Sequence, residues 1–259
     1  MKILIHQTRA TATDCAAALI ADRLTRQPDT VLGLATGGTM ESVYANLIAR
    51  HQVGGVSFAR ATSFNLDEYV GLQADHPCSY WHYMREKLFD HVDMDPHRAF
   101  LPKGDAADAE AEAARYEAAI LAAGDIGLQL LGLGLNGHIG FNEPTSSLAS
   151  LTRIKTLTQS TRDANARYFE RTDDVPRLAI TIGIGTILRA QEVVLLAYGA
   201  EKAGVVAQMI EGAVSAACPA TALQMHRKVT VVLDEDAASD LALRNYYEQV
   251  HPRVSDPSI

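Results

Sequence analysis

The sequence predicts an α/β domain with a mostly parallel sheet covered by helices on both faces. Apolar residues at helical spacing alternate with short apolar runs from one end of the chain to the other. The predicted strands are nearly continuous in apolar residues, as is typical of strands buried on both faces. The length of 259 residues suits one large domain, and we expect a single domain over residues 1–259.

Three helices and two strands are predicted in the first part of the chain. Each helix is indicated by apolar residues at helical spacing: Ala16, Leu19, Ile20 and Leu24; Met40, Val43, Tyr44 and Leu47; and Tyr80, Met84 and Leu88. Short apolar runs at 30–35 and 61–66 predict a strand between successive helices.

The rest of the chain continues this alternation. A segment rich in Ala and Glu predicts a helix at 105–123, which Gly124 is well placed to end. Further strands are predicted at 126–135, 178–184, 193–198 and 229–233. Helical patterns at 201–210 and 236–250 accompany them, and residues 252–259 are expected to form a polar tail.

The composition excludes several classes of protein. Hydrophobic residues make up 47% of the chain, so it can bury enough apolar surface to fold, unlike a disordered chain. The formal net charge of −8 disfavours general binding to nucleic acid. The cysteines Cys15, Cys78 and Cys218 are far apart, which argues against a disulfide scaffold or a cysteine zinc site. No stretch has the pattern of a signal peptide or a membrane span, so we expect a cytoplasmic protein.

A glycine-containing turn follows the strand at 30–35. It leads into the second helix and consists of Thr36, Gly37, Gly38 and Thr39. Backbone N–H groups, two hydroxyls and the positive end of the helix dipole would meet there, which suits a phosphate. The spacing matches neither a P-loop nor a dinucleotide fingerprint, and a plain tight turn is the alternative.

Two adjacent carboxylates, Asp67 and Glu68, follow the strand at 61–66. Ligands of parallel sheets bind beyond the carboxyl ends of the strands, so this pair offers a candidate general base. Neighbouring side chains of an extended segment point to opposite sides, so only one of the pair is expected to face the site. A carboxylate that serves a turn or a helix start is the alternative.

The loop after the strand at 126–135 is the most informative segment. It reads Asn136-Gly137-His138-Ile139-Gly140-Phe141-Asn142-Glu143-Pro144. His138 can exchange protons near neutral pH, and Asn136 and Glu143 could set its tautomer and orientation. A structural histidine is the alternative. A metal site would need further ligands at suitable spacing, and the sequence has no Gly-x-Ser-x-Gly elbow of a serine hydrolase.

Two cations could complete a phosphate site. Lys202 is predicted at a helix start, where a cation opposes the helix dipole, and an anionic ligand would remove that conflict. Arg167 belongs to a polar segment at 161–168. A solvated surface charge is the alternative for each of them.

Five segments together resemble the glucosamine-6-phosphate deaminase family. They are Leu-Ala-Thr-Gly-Gly-Thr at 34–39, Phe-Asn-Leu-Asp-Glu-Tyr-Val-Gly-Leu at 64–72, His-Pro-Cys-Ser-Tyr at 76–80, Gly-His-Ile-Gly-Phe-Asn-Glu-Pro at 137–144 and Thr-Arg-Ile-Lys-Thr at 152–156. The likeness runs over almost the whole chain. It implies a Rossmann-like three-layer fold and a single catalytic domain. It also implies conversion of glucosamine 6-phosphate and water into fructose 6-phosphate and ammonia, with no cofactor and no metal.

The resemblance also implies a role for each candidate residue. His138 would open the sugar ring, with Asn136 and Glu143 orienting it, and Asp67 would move a proton from C2 to C1. The phosphate would be held by the turn at 36–39, Arg167 and Lys202. The position of Arg167 suggests that a lid at 158–176 closes on the phosphate.

One position of this chain differs from part of the family. Some members carry Asp at the position of Asn136, and the neutral amide is expected to lower the pKa of His138 relative to them.

The resemblance also extends to a regulatory site. Some members are hexamers activated by N-acetylglucosamine 6-phosphate. The residues that resemble the activator site are Ser146, Arg153, Lys155, Thr156 and Tyr246. We therefore expect a homo-oligomer, with a hexamer favoured, and no nucleic-acid or membrane partner.

Two rival functions stay open at this point. A 6-phosphogluconolactonase-like hydrolase has the same general fold but needs no proton transfer at C2. A non-catalytic sugar-phosphate sensor would usually carry an attached DNA-binding domain, for which this sequence has no spare residues.

Overall fold

The structure is a computed structural model that describes residues 1–251, and the expected polar tail at 252–259 lies outside the described residues. The strands of the described chain are β1 (Lys2–His6), β2 (Val31–Leu34), β3 (Thr62–Asn65), β4 (Asp67–Tyr69), β5 (Ala99–Phe100), β6 (Leu128–Leu131), β7 (Arg153–Thr156), β8 (Leu178–Thr181), β9 (Glu192–Ala197) and β10 (Val229–Asp234). Its α-helices are α1 (Arg9–Arg26), α2 (Gly38–Gln52), α3 (Tyr80–Lys87), α4 (Ala109–Ala122), α5 (Gln159–Asn165), α6 (Ile184–Arg189), α7 (Ala203–Glu211) and α8 (Arg244–Val250).

A seven-stranded sheet forms the centre of the molecule. Its strand order is β1-β10-β9-β6-β2-β3-β5, and every neighbouring pair is parallel. Helices flank the sheet in three layers, which confirms the α/β class predicted from the alternating patterns. No helix in residues 1–251 combines the length and the apolar character needed to cross a membrane.

The helical periodicities mark the buried faces correctly. Met40, Val43, Tyr44 and Leu47 of α2 are fully buried. In α1 the predicted stripe is again on the inner face, and Thr8 begins the helix with a capping box to Thr11. These elements form because local amphipathic patterning and local capping agree with each other.

The segment predicted as a strand at 178–184 does not join the parallel sheet, as the sequence analysis implied, but a second, smaller sheet. Its first four residues form β8, which pairs antiparallel with β4 and β7 in a separate three-stranded sheet. Ile184 already begins α6. The reason is that an apolar run indicates burial but not the partner strand or its direction. The small sheet sits beside the main one because Ile182 N–H donates to the carbonyl of Leu66.

Three further elements are shorter than predicted. Of the strand predicted at 126–135, only β6 forms. The chain turns after it, and Gly134 N–H donates to the carbonyl of His138. The helix at 236–250 is only α8, because Asp234 holds the preceding turn by accepting from Ala237 N–H. The helix at 201–210 begins as a 3-10 turn, Ala200–Lys202, before α7.

Candidate functional site

A cavity of about 770 Å³ opens at the carboxyl ends of the central strands. It is lined by nine of the residues selected from the sequence: Thr36, Gly37, Gly38, Thr39, Asp67, Asn136, His138, Arg167 and Lys202. These residues are spread over 167 positions of the chain (36 to 202). The topology brings them together because β2, β3, β6 and β9 are neighbours or near neighbours in the sheet.

The turn at 36–39 has the geometry of an anion site. Gly37 has a φ of 97°, which glycine tolerates and other residues rarely adopt, and it precedes the first turn of α2. No side chain caps the N-terminus of α2, so the helix presents its first N–H groups at the cavity.

Three phenols bond the carbonyls of this turn and of Ala35, the residue before it. Tyr44 donates to Ala35 O, Tyr83 donates to Gly37 O at 2.9 Å, and Tyr198 donates to Gly38 O at 3.4 Å. Carbonyl oxygens that are already bonded to donors repel an incoming anion less. The sequence did not reveal this support, since the three tyrosines come from distant elements.

Two cations share the cavity with the turn. A Cβ built on Gly38 would be 3.5 Å from Arg167 Nη2, so the guanidinium is close to the backbone of the turn. Lys202 Nζ donates to the carbonyl of Leu133 at 2.7 Å. Burial lowers the pKa of Lys202, and the positive charge of Arg167 lowers it further, while Glu201 acts in the opposite direction. An anion bound near both side chains would offset the repulsion between these two charges.

Arg9 is a third cation that the sequence analysis missed. It lines the cavity, and its Cζ lies 4.1 Å from the ring centroid of Tyr198. Arg9 is the first residue of α1, where a cation opposes the helix dipole. Arg9 therefore carries the same sequence signal as Lys202, a cation at the start of a helix.

Asp67 is the buried carboxylate of the cavity. It is 5% exposed. Burial raises its pKa to about 8, and the charge of Glu68 adds to the increase. Hydrogen bonds from Phe141 N–H and the Thr181 hydroxyl act in the opposite direction. A carboxylate in this environment is a stronger base than an ordinary aspartate.

Glu68 points away from the cavity, as the alternation of an extended strand requires. Its carboxylate accepts from the N–H groups of Tyr69, Tyr80 and Trp81 at 2.9 to 3.0 Å. The structure therefore places Asp67, and not Glu68, at the site.

The His138 ring is held in one tautomer. Asn136 Nδ2 donates to Glu143 Oε2 at 2.8 Å, because a carboxylate can only accept. The Asn136 amide oxygen therefore faces the ring, 2.6 Å from His138 Nδ1. Since this oxygen also only accepts, Nδ1 carries the proton and Nε2 of the neutral ring keeps its lone pair.

Burial and the neighbouring charges shift the pKa values of His138 and Glu143 in opposite directions. Burial lowers the pKa of His138, Glu143 raises it, and Lys202 lowers it. Burial raises the pKa of Glu143, but hydrogen bonds from Thr161, Asn136 and Thr158 and the His138 charge make it low overall. The ring is therefore neutral near pH 7 and able to take a proton.

Glu143 also connects the histidine to the segment expected to form a lid. Thr158, the N-cap residue of α5, donates its N–H and its hydroxyl to Glu143 Oε1 at 3.1 and 3.2 Å. Helix α5 is followed by the 3-10 turn Ala166–Tyr168, which carries Arg167. Thr158, which bonds Glu143, and Arg167 thus lie at the two ends of one short segment.

The residues that resemble an activator site are not gathered around the cavity. Arg153 and Lys155 lie on β7, and Arg153 Nη1 donates to Asn142 Oδ1 at 2.8 Å. Thr156 ends β7, Ser146 is buried, and Tyr246 is exposed on α8. Helix α8 packs against β1, whereas β7 packs against β8 and α4.

Metal ligation has no support in the described part of the chain. Within residues 1–251, no three His, Cys, Asp or Glu side chains are grouped so that they could hold a metal ion. The donors around the cavity are N–H groups, hydroxyls and cations, which suit an anion.

Comparison with known proteins gives a consistent picture. A family model described as glucosamine-6-phosphate isomerases/6-phosphogluconolactonase matches residues 4–232. A glucosamine-6-phosphate deaminase of Shewanella loihica is 52% identical over 250 residues, which cover 96% of this chain and 93% of that protein. The solved structure of a monomeric glucosamine-6-phosphate deaminase superposes with a TM-score of 0.91 at 49% identity, over 93% of this chain and 100% of that chain.

A more distant solved structure shares the fold alone. A 6-phosphogluconolactonase from Trypanosoma brucei superposes with a TM-score of 0.74 at 23% identity, over 93% of this chain and 98% of that chain. The overall architecture is therefore common to both kinds of enzyme, and the residues of the site must distinguish them.

Proposed function

The chain belongs to the family of glucosamine-6-phosphate isomerases and 6-phosphogluconolactonases, and we propose that it is a glucosamine-6-phosphate deaminase. It would convert glucosamine 6-phosphate and water into fructose 6-phosphate and ammonia. This activity belongs with hydrolases that act on a C–N bond, with an accompanying isomerisation. One observation carries the proposal: the buried Asp67 carboxylate shares a cavity with the neutral His138 ring, the turn at 36–39 and the cations Arg167 and Lys202.

The first step is the opening of the sugar ring. His138 Nε2 takes the proton of the anomeric hydroxyl, and the C1–O5 bond breaks as C1 becomes a carbonyl. The proton then passes to O5. A group that titrates near neutrality can both accept and return this proton. Asn136 and Glu143 keep Nε2 available by holding the proton on Nδ1.

The second step is the proton transfer between carbons. Asp67 takes the C2 proton, the C2–H electrons form a C1–C2 double bond, and the C1 oxygen gains a proton from solvent to give an enolamine. Asp67 then returns its proton to C1 and leaves a protonated imine at C2. Water adds to C2, ammonia leaves and one proton returns to solvent, which gives the ketone. One carboxylate can perform both transfers because its raised pKa makes it a strong base and still a usable acid.

The phosphate is held away from the reacting carbons. The turn at 36–39, Arg167 and Lys202 would bind it, and that binding energy orients C1 and C2 at Asp67. We include the lid in the proposal: residues 158–176 would close over the phosphate and bring Arg167 into contact. A cytoplasmic location also remains part of the proposal.

Ammonia release tests the proposal directly. The wild-type protein is mixed with glucosamine 6-phosphate and ammonia is measured, with Asp67→Asn as the paired variant. We expect turnover by the wild type and a loss of at least 1,000-fold in kcat for the variant, about 4 kcal/mol. Hydrolysis of 6-phosphogluconolactone without ammonia release would favour the lactonase alternative. Binding of the sugar phosphate without turnover would favour the sensor.

Oligomeric state and activation form a separate part of the proposal. We propose a hexamer activated by N-acetylglucosamine 6-phosphate through Ser146, Arg153, Lys155, Thr156 and Tyr246. The structure similar to this chain at a TM-score of 0.91 is described as monomeric, so light scattering is the necessary measurement. A monomer, or velocity curves unaffected by the acetylated sugar phosphate, would exclude this part.

A further inference from the structure

Glu68 has no role in the mechanism above, yet it is buried directly beside the proposed base. It is 2% exposed, and its side chain lies on the side of β4 opposite to that of Asp67. An acidic side chain at such a position is costly unless several donors satisfy it. Its two oxygens accept three backbone N–H groups, which offset part of this cost, and burial still raises the pKa of Glu68 to about 7.

Two of these donors are the first N–H groups of α3. Tyr80 N–H donates to Glu68 Oε1 and Trp81 N–H donates to Oε2, each at 3.0 Å. The next free N–H, that of His82, donates to the hydroxyl of Ser79 at 3.0 Å. Glu68 and Ser79 therefore share the capping of α3, and of these two caps Glu68 is the one that ties the helix to the strand that carries Asp67.

The same helix reaches the phosphate-binding turn. The Tyr83 hydroxyl donates to Gly37 O at 2.9 Å, and Gly37 is the residue of positive φ in that turn. The Tyr80 ring lines the cavity, and its hydroxyl bonds that of Tyr69 at 3.2 Å. Helix α3 thus connects the strand of the proton-transferring carboxylate to the backbone that would hold the phosphate.

We propose that Glu68 is a positioning residue for the proton transfer: its carboxylate locks the N-terminus of α3 against β4, and α3 then sets the spacing between Asp67 and the phosphate-binding turn. The inference rests on the proposed deaminase function and adds a residue to it. The substrate has a fixed length from phosphate to C2, so this spacing decides whether C2 reaches Asp67 once the phosphate is bound.

The negative charge of Glu68 has a second effect on the same carboxylate. The titratable groups that interact with Asp67 are Glu68 of β4 and the phenols of Tyr69, Tyr80 and Tyr116 from β4, α3 and α4, and His138 faces the same cavity. Burial raises the pKa of all three phenols, so they stay neutral near pH 7. Glu68 itself ionises with a pKa of about 7, below the value of about 8 for Asp67, so the Glu68 charge makes Asp67 harder to ionise and a stronger base.

The test compares Glu68→Gln with two matched variants. Ser79→Ala removes the other cap of α3 but no charge, and Glu68→Asp keeps the charge but shortens the reach to α3. For each variant, kcat and KM for glucosamine 6-phosphate are measured between pH 5 and 10, with a thermal melt to verify folding. Ionisation of the substrate is the same for all variants and cancels in the comparison.

We expect Glu68→Gln to lower kcat/KM at least tenfold and to move its acid limb down by about one pH unit. Glu68→Asp is expected to lower kcat/KM at least tenfold with the acid limb unchanged. Ser79→Ala is expected to stay within threefold of the wild type, also with no shift, because Glu68 still holds two N–H groups.

Specific results would overturn the inference. Wild-type kinetics and an unshifted limb in Glu68→Gln would do so, as would an equal shift in Ser79→Ala, which would reflect helix capping alone. If Glu68→Gln does not fold, Glu68→Asp and Ser79→Ala decide, and equal kcat/KM values for these two would contradict the positioning role. Failure of the wild type to release ammonia would instead contradict the proposed function, so the two failures are distinguishable.

Discussion

His138 Nδ1 lies 2.6 Å from the side-chain oxygen of Asn136, so a neutral amide holds the ring that the mechanism needs as a base. The amide is itself oriented by Glu143, which accepts from its nitrogen. Asn136 therefore lies between the Glu143 carboxylate and the ring, and Glu143 Oε2 is 3.9 Å from His138 Nδ1. This arrangement sets the protonation of His138, and it can be changed by one substitution.

Asn136→Asp is expected to raise the pKa of His138 by about one unit or more, because it places a carboxylate in direct contact with Nδ1. The neutral ring then requires a higher pH, so the acid limb of activity moves upward. Titration of the imidazole nitrogens by NMR measures the pKa separately from that of Asp67. Asn136→Ala, which adds no charge, is the control. Equal His138 pKa values in the wild type and Asn136→Asp would contradict the expectation.

Asp67→Asn is expected to stabilise the folded protein while it abolishes turnover. The folded pKa of about 8 lies above the value of 3.8 for an unperturbed aspartate. Between these values the folded protein holds a proton that the unfolded chain has released, so stability falls as pH rises and levels off above pH 8. The variant escapes this loss. Its advantage in urea unfolding should therefore grow by about 1–3 kcal/mol between pH 6 and pH 8. A difference independent of pH would show that Asp67 titrates normally.

Gly137→Ala is expected to damage both stability and activity. Gly137 has a φ of 81°, and an added Cβ would lie 2.4 Å from Cys218 Sγ, so the loop that carries His138 must move. Gly54 also has a positive φ, 75°, but no atom lies within 4 Å of an added Cβ, which makes Gly54→Ala the matched control. We expect a loss of about 1 kcal/mol in the control and about 2–4 kcal/mol in Gly137→Ala.

Only Gly137→Ala should lower kcat, by at least tenfold. Both variants have the backbone strain of a positive φ, but only Gly137→Ala displaces the loop that carries His138. Urea unfolding and initial rates of ammonia release provide the two measurements. Similar kcat values for both variants would mean that the loop tolerates the displacement.

Arg9→Ala is expected to weaken substrate binding without affecting the chemical steps. Arg9 carries a positive charge at the cavity, and its guanidinium is held on the ring of Tyr198, whose hydroxyl bonds Gly38 O of the turn proposed to hold the phosphate. We expect KM to rise about three- to tenfold with kcat within twofold, and the effect should shrink in 0.5 M salt, at which the screening length is about 4–5 Å.

Arg26→Ala is the control for Arg9→Ala, because it removes the same charge from the other end of α1, where Arg26 is paired with Asp22. Its KM should equal that of the wild type. A KM that is unchanged in Arg9→Ala, or raised equally in both variants, would exclude Arg9 from the substrate site.

Local patterns explain why so much of the fold could be predicted. The stripe of α2 and the cap at Thr8 depend on residues within a few positions of each other, and their consequences are the same in any tertiary context. Sheet membership is different, because β8 could be predicted as a buried strand but not as an antiparallel partner of β4. Pairing between segments about 110 residues apart is decided by which faces pack together after collapse.

The candidate site likewise has features that local sequence predicts and features that only the tertiary structure decides. The residue types and their positions after predicted strands were enough to single out Asp67, His138, the turn at 36–39 and Lys202, whereas Arg167 was selected from a polar segment at 161–168 and by the family resemblance. The sequence by itself thus determined which chemical groups the protein can bring to a sugar phosphate, because strand ends of a parallel sheet converge on one edge.

Only the tertiary structure decided how those groups are set. It showed that Asp67 and not Glu68 faces the cavity, that the proton of His138 is on Nδ1, that Arg9 is a third cation and that α3 spans from β4 to Gly37. Each of these depends on burial, on the direction of hydrogen bonds or on charges that become neighbours only after folding. Such contacts join residues far apart in the chain, and no local pattern encodes them.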